Sequence, residues 1–175
     1  MSTDAKSLQD KAKELYQTGE MDQAIAMFEQ ARAAYTEQGD KPGMASATND
    51  LGVVYYLTGK REQALGLLRD ALAAYESLGD VPGQAKATGN LAQLMNRSGD
   101  HTNAEKNYSR AAELFHQTGD RMLEYDTYRA LSQMQLQRGR WLEALAAYDR
   151  ALAAKGGSKL LRWFLQIPLK LTGTR

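Results

Sequence analysis

The chain has 175 residues, of which 25% are charged and 43% are apolar, a composition that is ordinary for a soluble globular protein. Its 22 basic and 21 acidic residues give a net charge of +1, so no global field draws it to nucleic acid, and none is predicted as a partner. Cysteine is absent, which excludes disulfide bonds, thiol nucleophiles and thiolate metal ligands.

The N-terminal residues and the hydropathy pattern predict a cytoplasmic protein. Residues 1–7 include an acid and lack the apolar stretch of a secretory signal peptide. No part of the sequence approaches the roughly 18 uninterrupted apolar residues that a membrane-spanning helix requires.

Glycine recurs every twenty residues along the chain, at Gly19, Gly39, Gly59, Gly79, Gly99, Gly119 and Gly139. A strict period in this range is typical of stacked supersecondary units. Glycine also ends helices, because it enters the left-handed backbone conformation without a Cβ clash. This glycine ladder therefore predicts seven helix ends.

The glycines of the ladder alternate between two kinds, so the true period is forty residues with two helices in each repeat. Gly39, Gly79 and Gly119 are each followed by an aspartate, and in the first two cases a proline follows, at Pro42 and Pro82. An acid at the N-cap and a proline in the first turn mark the start of a helix.

Eight helices follow from these signals, at about 4–18, 20–38, 42–58, 60–78, 82–98, 100–118, 121–138 and 140–154. They form four repeats over residues 1–155, at about 5–40, 41–80, 81–120 and 121–155. The sequence thus predicts an all-α protein in which each repeat buries the apolar face of its neighbour.

Small and large apolar residues recur in register between the glycines. Small residues, which let helix backbones approach closely, occupy three positions of each repeat: Ala12, Gly52, Ala92 and Ser132; Ala24, Ala64, Ala104 and Ala144; Ala31, Ala71, Ala111 and Ala151. Large residues are predicted to fill the core beside them: Leu51, Leu91 and Leu131; Phe28, Leu68, Tyr108 and Tyr148; Tyr35, Tyr75 and Phe115.

This pattern resembles the tetratricopeptide repeat (TPR). The second repeat carries it as Leu51-Gly52, Tyr55, Gly59, Ala64, Leu68 and Ala71, and its strongest single stretch is residues 139–153. The usual repeat has about 34 residues, and the period of forty is similar to the longer repeats of Pins/LGN-type adaptors, kinesin light chains and several bacterial regulators. The resemblance implies a right-handed α-solenoid of four helix-turn-helix repeats.

The sequence carries no catalytic or metal-binding motif, so we expect a protein that is not an enzyme and has no cofactor or metal. His101 and His116 are the only histidines, and their separation of about four helical turns prevents them from sharing a metal ion. No Walker loop, nucleophile elbow or His-Glu-x-x-His motif is present.

In TPR proteins the first helix of each pair lines a concave groove in which ligand peptides lie. By register, the resemblance places these residues in the groove: Lys13, Tyr16, Asn49, Val53, Tyr56, Lys86, Asn90, Gln93, Arg97, Arg129 and Gln133. Asn90 matches the asparagine that precedes leucine in Pins/LGN-type repeats. Basic residues outnumber Asp50 and Asp126 there, which favours a partner with acidic side chains or a C-terminal carboxylate.

A short apolar helix is predicted beyond the repeats, within residues 156–175. Residues 159–171 are rich in large apolar side chains and contain only basic charges. The candidate interaction residues are Leu160, Leu161, Trp163, Phe164 and Ile167. Three interpretations stay open: a cap over the last repeat, a surface for self-association or a protein partner, and a peripheral anchor at a membrane interface.

Taken together, these features predict a non-catalytic interaction scaffold or adaptor that binds a partner peptide in its groove. Two alternatives remain. One is a peripheral membrane-associated assembly factor that docks through residues 159–171. The other is a regulatory sensor for a small peptide, similar to some bacterial TPR proteins.

Overall fold

The computed structural model describes residues 4–157, 163–164 and 166–167. Within them the chain forms eight long helices and no strand: α1 (Ala5–Thr18), α2 (Met21–Gln38), α3 (Lys41–Leu57), α4 (Arg61–Leu78), α5 (Val81–Arg97), α6 (His101–Thr118), α7 (Arg121–Gln137) and α8 (Trp141–Ala154). Each helix begins and ends within one residue of its predicted bounds. The all-α prediction is confirmed.

The helix ends have the predicted chemistry. All seven glycines of the ladder adopt positive φ, between 67° and 86°, where a side chain would strain the backbone. The side chains of Asp40, Asp80 and Asp120 accept hydrogen bonds from backbone N–H groups three residues later, at 2.9, 3.0 and 3.1 Å. The glycines therefore stop one helix, and the aspartates after the even-numbered helices start the next.

The chain forms two compact units, Met1–Leu94 and Met95–Arg175. The first unit contains α1 to α4 and most of α5, and the second contains the end of α5 with α6, α7 and α8. The finer division predicted from the sequence, four repeats over 1–155 and a separate segment at 156–175, stays a prediction.

The first unit is held by apolar clusters in which each second helix packs between two first helices. Phe28 of α2 lies with Leu51 and Val54 of α3, and Leu68 of α4 lies with Leu91 and Leu94 of α5. The predicted small residues of this unit are fully or almost fully buried. The close approach that they permit brings neighbouring first helices side by side.

Two tyrosines lie against glycines at the start of the following helix. A Cβ atom added at Gly43 would collide with the ring of Tyr35, and one added at Gly83 would collide with the ring of Tyr75. Each ring therefore rests on bare backbone just after an aspartate N-cap. The contact was not predicted from the sequence, where both tyrosines were assigned only to the core.

In the second unit, Leu131 and Phe115 are among the buried apolar residues, and polar contacts join helices as well. Arg140, just before α8, forms an ion pair of 2.6 Å with Glu105 of α6. Tyr148 departs from its predicted place in the core. It is only half-buried, because it lines an open cavity of about 410 Å³ between α7 and α8.

Candidate functional site

A hydrogen bond joins the first helices of repeats one and two. The Gln9 side chain on α1 is only 5% exposed. Its amide Nε2 donates to Asp50 Oδ2 at 2.9 Å and to Ser46 Oγ at 3.0 Å, both on α3. Gln9 thus lies in the contact between α1 and α3 and does not present its amide to a ligand.

The equivalent pair of residues one repeat later is also hydrogen-bonded, with the donor on the later helix. Asn90 Nδ2 on α5 donates to Asn49 Oδ1 on α3 at 3.1 Å, and Asn49 Nδ2 donates to Asp50 Oδ1 at 3.4 Å. In both contacts the partners are separated by 41 residues, one repeat and one position. We call Gln9, Asp50, Asn49 and Asn90 the amide ladder. It crosses the face formed by α1, α3 and α5.

The second helices support the amide ladder from below. The hydroxyl of Tyr35 on α2 donates to Gln9 Oε1 at 3.0 Å, and Tyr75 on α4 lies near Ser46 and Asp50 of α3. Burial, and then the nearby carboxylate of Asp50, raises the pKa of Tyr75 to about 12. Burial likewise raises the pKa of Tyr35. Both tyrosines therefore stay neutral at physiological pH, and Tyr35 donates from its hydroxyl.

The negative charge of Asp50, the carboxylate of the amide ladder, is compensated by its neighbours. Lys13 Nζ lies 3.7 Å from Asp50 Oδ2, so Asp50 has an ion pair as well as its two amide donors. Lys86 on α5 is exposed and forms no ion pair within the described part of the chain. Of these three charges on the face of the first unit, only that of Lys86 is left without an ion pair in the described residues.

The apolar residues predicted for the groove lie at the C-terminal ends of α1 and α3. Tyr16, Val53 and Tyr56 are half-buried, and each packs on an apolar cluster of the first unit. Leu57 beside them is 43% exposed. The first unit thus combines a polar middle, at the amide ladder, with an apolar end.

The predicted groove residues divide between the two units. Eight of them lie in the first unit: Lys13, Tyr16, Asn49, Val53, Tyr56, Lys86, Asn90 and Gln93. The remaining three, Arg97, Arg129 and Gln133, are exposed residues of the second unit. Arg129 pairs with Asp126 at 3.5 Å and, with Gln133, lines the open cavity beside Tyr148. Whether these residues bind a ligand stays a prediction.

The described part of the C-terminal segment contacts α8. Gln166 Nε2 donates to Asp149 Oδ2 at 3.0 Å. The rings of Trp163 and Phe164 meet edge to face, with centroids 5.0 Å apart. Two of the predicted interaction residues of this segment, Leu160 and Leu161, lie outside the described residues.

The histidines have local partners. His101 Nδ1 lies 3.1 Å from Asn96 Oδ1, and His116 Nδ1 lies 3.1 Å from the carboxylate of Glu124. Over the described ranges no group of three or more His, Cys, Asp or Glu residues is arranged to hold a metal ion. Nor is any helix in those ranges long and apolar enough to cross a membrane.

The tyrosine hydroxyls beneath the ladder are the part of the site that the sequence reasoning missed. A signal for them exists in the register of the repeats. Tyr35 and Tyr75 are each followed eight residues later by glycine, at Gly43 and Gly83, whereas the third repeat has Phe115 and Leu123. The hydroxyl and the bare backbone therefore occur together in the first two repeats and are lost together in the third.

The family is shown by comparison with known sequences. The model of the tetratricopeptide repeat matches residues 5–77 and 83–155, which is most of the chain. The protein therefore belongs to the tetratricopeptide repeat family. A search of curated protein sequences gave no significant match.

Solved structures with the same fold come from several organisms. BtubC (BKLC) of P. vanneervenii has a TM-score of 0.75 and 22% identity over 87% of this chain. Aspartyl phosphate phosphatase F of Bacillus subtilis has a TM-score of 0.82 and 15% identity over 93%. A kinesin-light-chain-like protein with nearly identical TPR-like repeats, from Podosopora anserina, has a TM-score of 0.67 and 15% identity over 95%.

The structural similarity extends over different fractions of the three proteins. This chain spans 63% of the BtubC chain and 44% of the phosphatase chain, but 93% of the Podosopora anserina chain. At these identities the likeness shows a shared fold of stacked helix pairs. The TPR class in turn supports a scaffold that interacts with other proteins.

Proposed function

We propose that this protein is a non-catalytic adaptor that binds an extended partner peptide along the face formed by α1, α3 and α5. The observation that carries this proposal is the amide ladder. Its last member, Asn90, is half-buried and uses Nδ2 to bind Asn49. Its Oδ1 is thereby held in a fixed orientation, as an acceptor for a peptide N–H group.

The charges of this face favour an acidic partner. Because Lys13 compensates the charge of Asp50, the exposed ammonium group of Lys86 gives this face a positive charge that no ion pair cancels within the described residues. An acidic side chain or a terminal carboxylate of the peptide would gain a charge-assisted hydrogen bond from Lys86. The half-buried Val53 and Tyr56, at the C-terminal end of α3, would receive an apolar side chain of the peptide.

The first step of the test is to identify the partner. Affinity enrichment from the source organism would be run with wild type, with Lys86→Glu/Asn90→Ala, and with Arg69→Glu as a matched control. Arg69 is an exposed residue of the second helix α4, so its charge reversal leaves the proposed face intact. Circular dichroism would verify that all three proteins are equally helical.

The outcome is decided by which variant loses the partner. The proposal expects a partner that is kept by wild type and Arg69→Glu and lost by Lys86→Glu/Asn90→Ala. Fluorescence polarisation with a peptide from that partner should then show affinity that falls with salt, because exposed charge pairs are screened. A partner retained by the double variant would move the binding site away from α5 and refute the proposal.

A further inference from the structure

A second polar site lies within the second unit, where α6, α7 and α8 line an open cavity of about 440 Å³. This volume is in the range of sites that bind small molecules. The three helices contribute its polar side chains, which are Glu113, His116 and Gln117 of α6, Glu124 and Tyr128 of α7, and Arg150 of α8.

Three residues of this cavity depart from the pattern of the earlier repeats. Glu113, Glu124 and Tyr128 replace residues that carry no charge and no aromatic ring. By register, their counterparts are Ala33 and Ala73 for Glu113, Met44 and Gln84 for Glu124, and Thr48 and Thr88 for Tyr128. A local departure from an otherwise regular pattern is typical of a functional site.

The buried acid of the cavity is compensated by residues of the protein itself. Glu124 is only 6% exposed. Arg121 Nη1 lies 3.2 Å from Glu124 Oε2, and His116 Nδ1 lies 3.1 Å from Glu124 Oε1. Because a buried carboxylate needs such partners, Glu124 belongs to the wall of the cavity and its charge does not require a ligand.

The other two charges of the cavity, those of Glu113 and Arg150, are not compensated. Both side chains are exposed, and within the described part of the chain neither forms an ion pair with the other or with a third residue. The Arg150 guanidinium lies 5.9 Å from the centre of the Tyr128 ring. Burial raises the pKa of Tyr128, so its phenol adds no charge. The cavity thus presents one acid and one base, on different helices.

We propose that this cavity binds a small zwitterionic molecule, whose ammonium group contacts the Glu113 carboxylate and whose carboxylate contacts the Arg150 guanidinium. A purely anionic ligand would be repelled by Glu113, and a purely cationic one by Arg150. A molecule that carries both charges gains a charge-assisted hydrogen bond from each side chain. All these residues belong to the second unit, so this site does not depend on the peptide site proposed for α1, α3 and α5.

The probes are free glycine, γ-aminobutyrate and ε-aminocaproate, which carry the two charges at increasing separations. Each would be titrated into the isotope-labelled full-length protein, and the amide signals of Glu113 and Gln117 would be followed by NMR. We expect a saturable shift of these signals with at least one probe. For the probe that binds best, the matching acid without the amino group and the matching amine without the carboxyl group should each bind at least about tenfold more weakly, because each lacks one charged contact.

Two variants assign each charge of the zwitterion to its partner. Glu113→Gln should abolish the preference for the zwitterion over the matching acid, and Arg150→Gln should abolish its preference over the matching amine. The matched control, Arg61→Gln/Glu62→Gln, changes an exposed base and an exposed acid of α4 in the first unit and should bind as wild type does. Thermal unfolding followed by circular dichroism would verify that all variants are folded.

Three results would overturn the proposal. The first is the absence of a saturable shift with all three probes. The second is equal affinity for the zwitterion and its singly charged counterparts, since the paired charges would then play no part. The third is a preference for the zwitterion that survives in both Glu113→Gln and Arg150→Gln, which would move its binding site away from this cavity.

Discussion

Gln9 donates a hydrogen bond of 2.9 Å to Asp50 on the next first helix, and the equivalent pair one repeat later is also hydrogen-bonded, with Asn90 of the later helix donating to Asn49. These contacts fix how α1 aligns with α3 and how α3 aligns with α5. A buried amide that loses its partner costs about 1–3 kcal/mol, so each side chain fixes the position of the next. The face proposed to bind a peptide is thus built by the same residues that align the repeats.

The coupling between Gln9 and Asp50 gives the first prediction. Asp50→Ala should lower the free energy of unfolding by roughly 1–3 kcal/mol, because it removes the charged acceptor of the buried Gln9 amide, which then keeps only the Ser46 hydroxyl. After Gln9→Ala, the further cost of Asp50→Ala should be smaller by about 0.5 kcal/mol or more. Urea unfolding of both single variants and the double variant measures this. Additive effects would show that the contact is not a mutual anchor.

A control cycle tests whether the coupling is specific to the contact. Gln9→Ala would be combined with Ser77→Ala, an exposed residue at the end of α4 that bonds only to the backbone of its own helix. These two changes should add, because distant sites without shared partners are independent.

The second prediction concerns the backbone beneath the tyrosines. Gly83→Ala places a methyl group against the Tyr75 ring and should lower the free energy of unfolding by about 1–3 kcal/mol, as overpacking does. Gly66→Ala is the matched control, since Gly66 lies inside α4 with nothing within 4 Å of an added Cβ. That change should raise stability by up to about 1 kcal/mol. Equal effects at both positions would disprove the steric role of Gly83.

Most of the fold could be predicted from the sequence because its signals are local. Each glycine of the ladder sets one helix boundary through its own backbone, and each aspartate after Gly39, Gly79 and Gly119 sets one through its side-chain carboxylate. Such signals need no knowledge of distant residues. Tyr148 was predicted to lie in the core but is half-buried, because it lines the open cavity between α7 and α8, and the repeat pattern does not show how completely two helices cover each other.

The site could be predicted only in part because its contacts join residues far apart in sequence. The resemblance placed Asn49 and Asn90 on the correct helices. It did not reveal that Asn49 is 6% exposed or that its amide serves Asp50 and Asn90. Those facts depend on how closely α1, α3 and α5 approach, which is set by small residues on other helices. The spacing of 41 residues between the partners identifies these contacts only when the first helices are known to lie side by side.

The third prediction tests that close approach. Ala71 of α4 is fully buried among Ala45, Tyr75 and Ala87. Ala71→Leu should therefore overpack the contact of α4 with α3 and α5 and cost roughly 1–3 kcal/mol. The control is Ala73→Leu, two residues along the same helix but exposed, which should change stability by less than about 0.5 kcal/mol. An unchanged melting temperature for Ala71→Leu would contradict this packing.

The fourth prediction follows from the raised pKa of Tyr75. The phenol titrates near 10.0 in the unfolded chain and at about 12 in the folded protein. Between these values the folded state binds more protons than the unfolded state, so stability falls as the pH rises from about 10 towards 12 and is unaffected by this group below that window.

Tyr75→Phe should make this alkaline loss of stability smaller, because phenylalanine has no proton to release. Lysines and the other tyrosines titrate in the same range, so the informative quantity is the difference between wild type and variant, measured by urea unfolding at several pH values from 8 upwards. The free energy of unfolding of the variant, taken relative to that of wild type, should therefore rise as the pH passes about 10. Parallel curves would mean that Tyr75 titrates alike in both states and that its hydroxyl is not buried beneath the ladder.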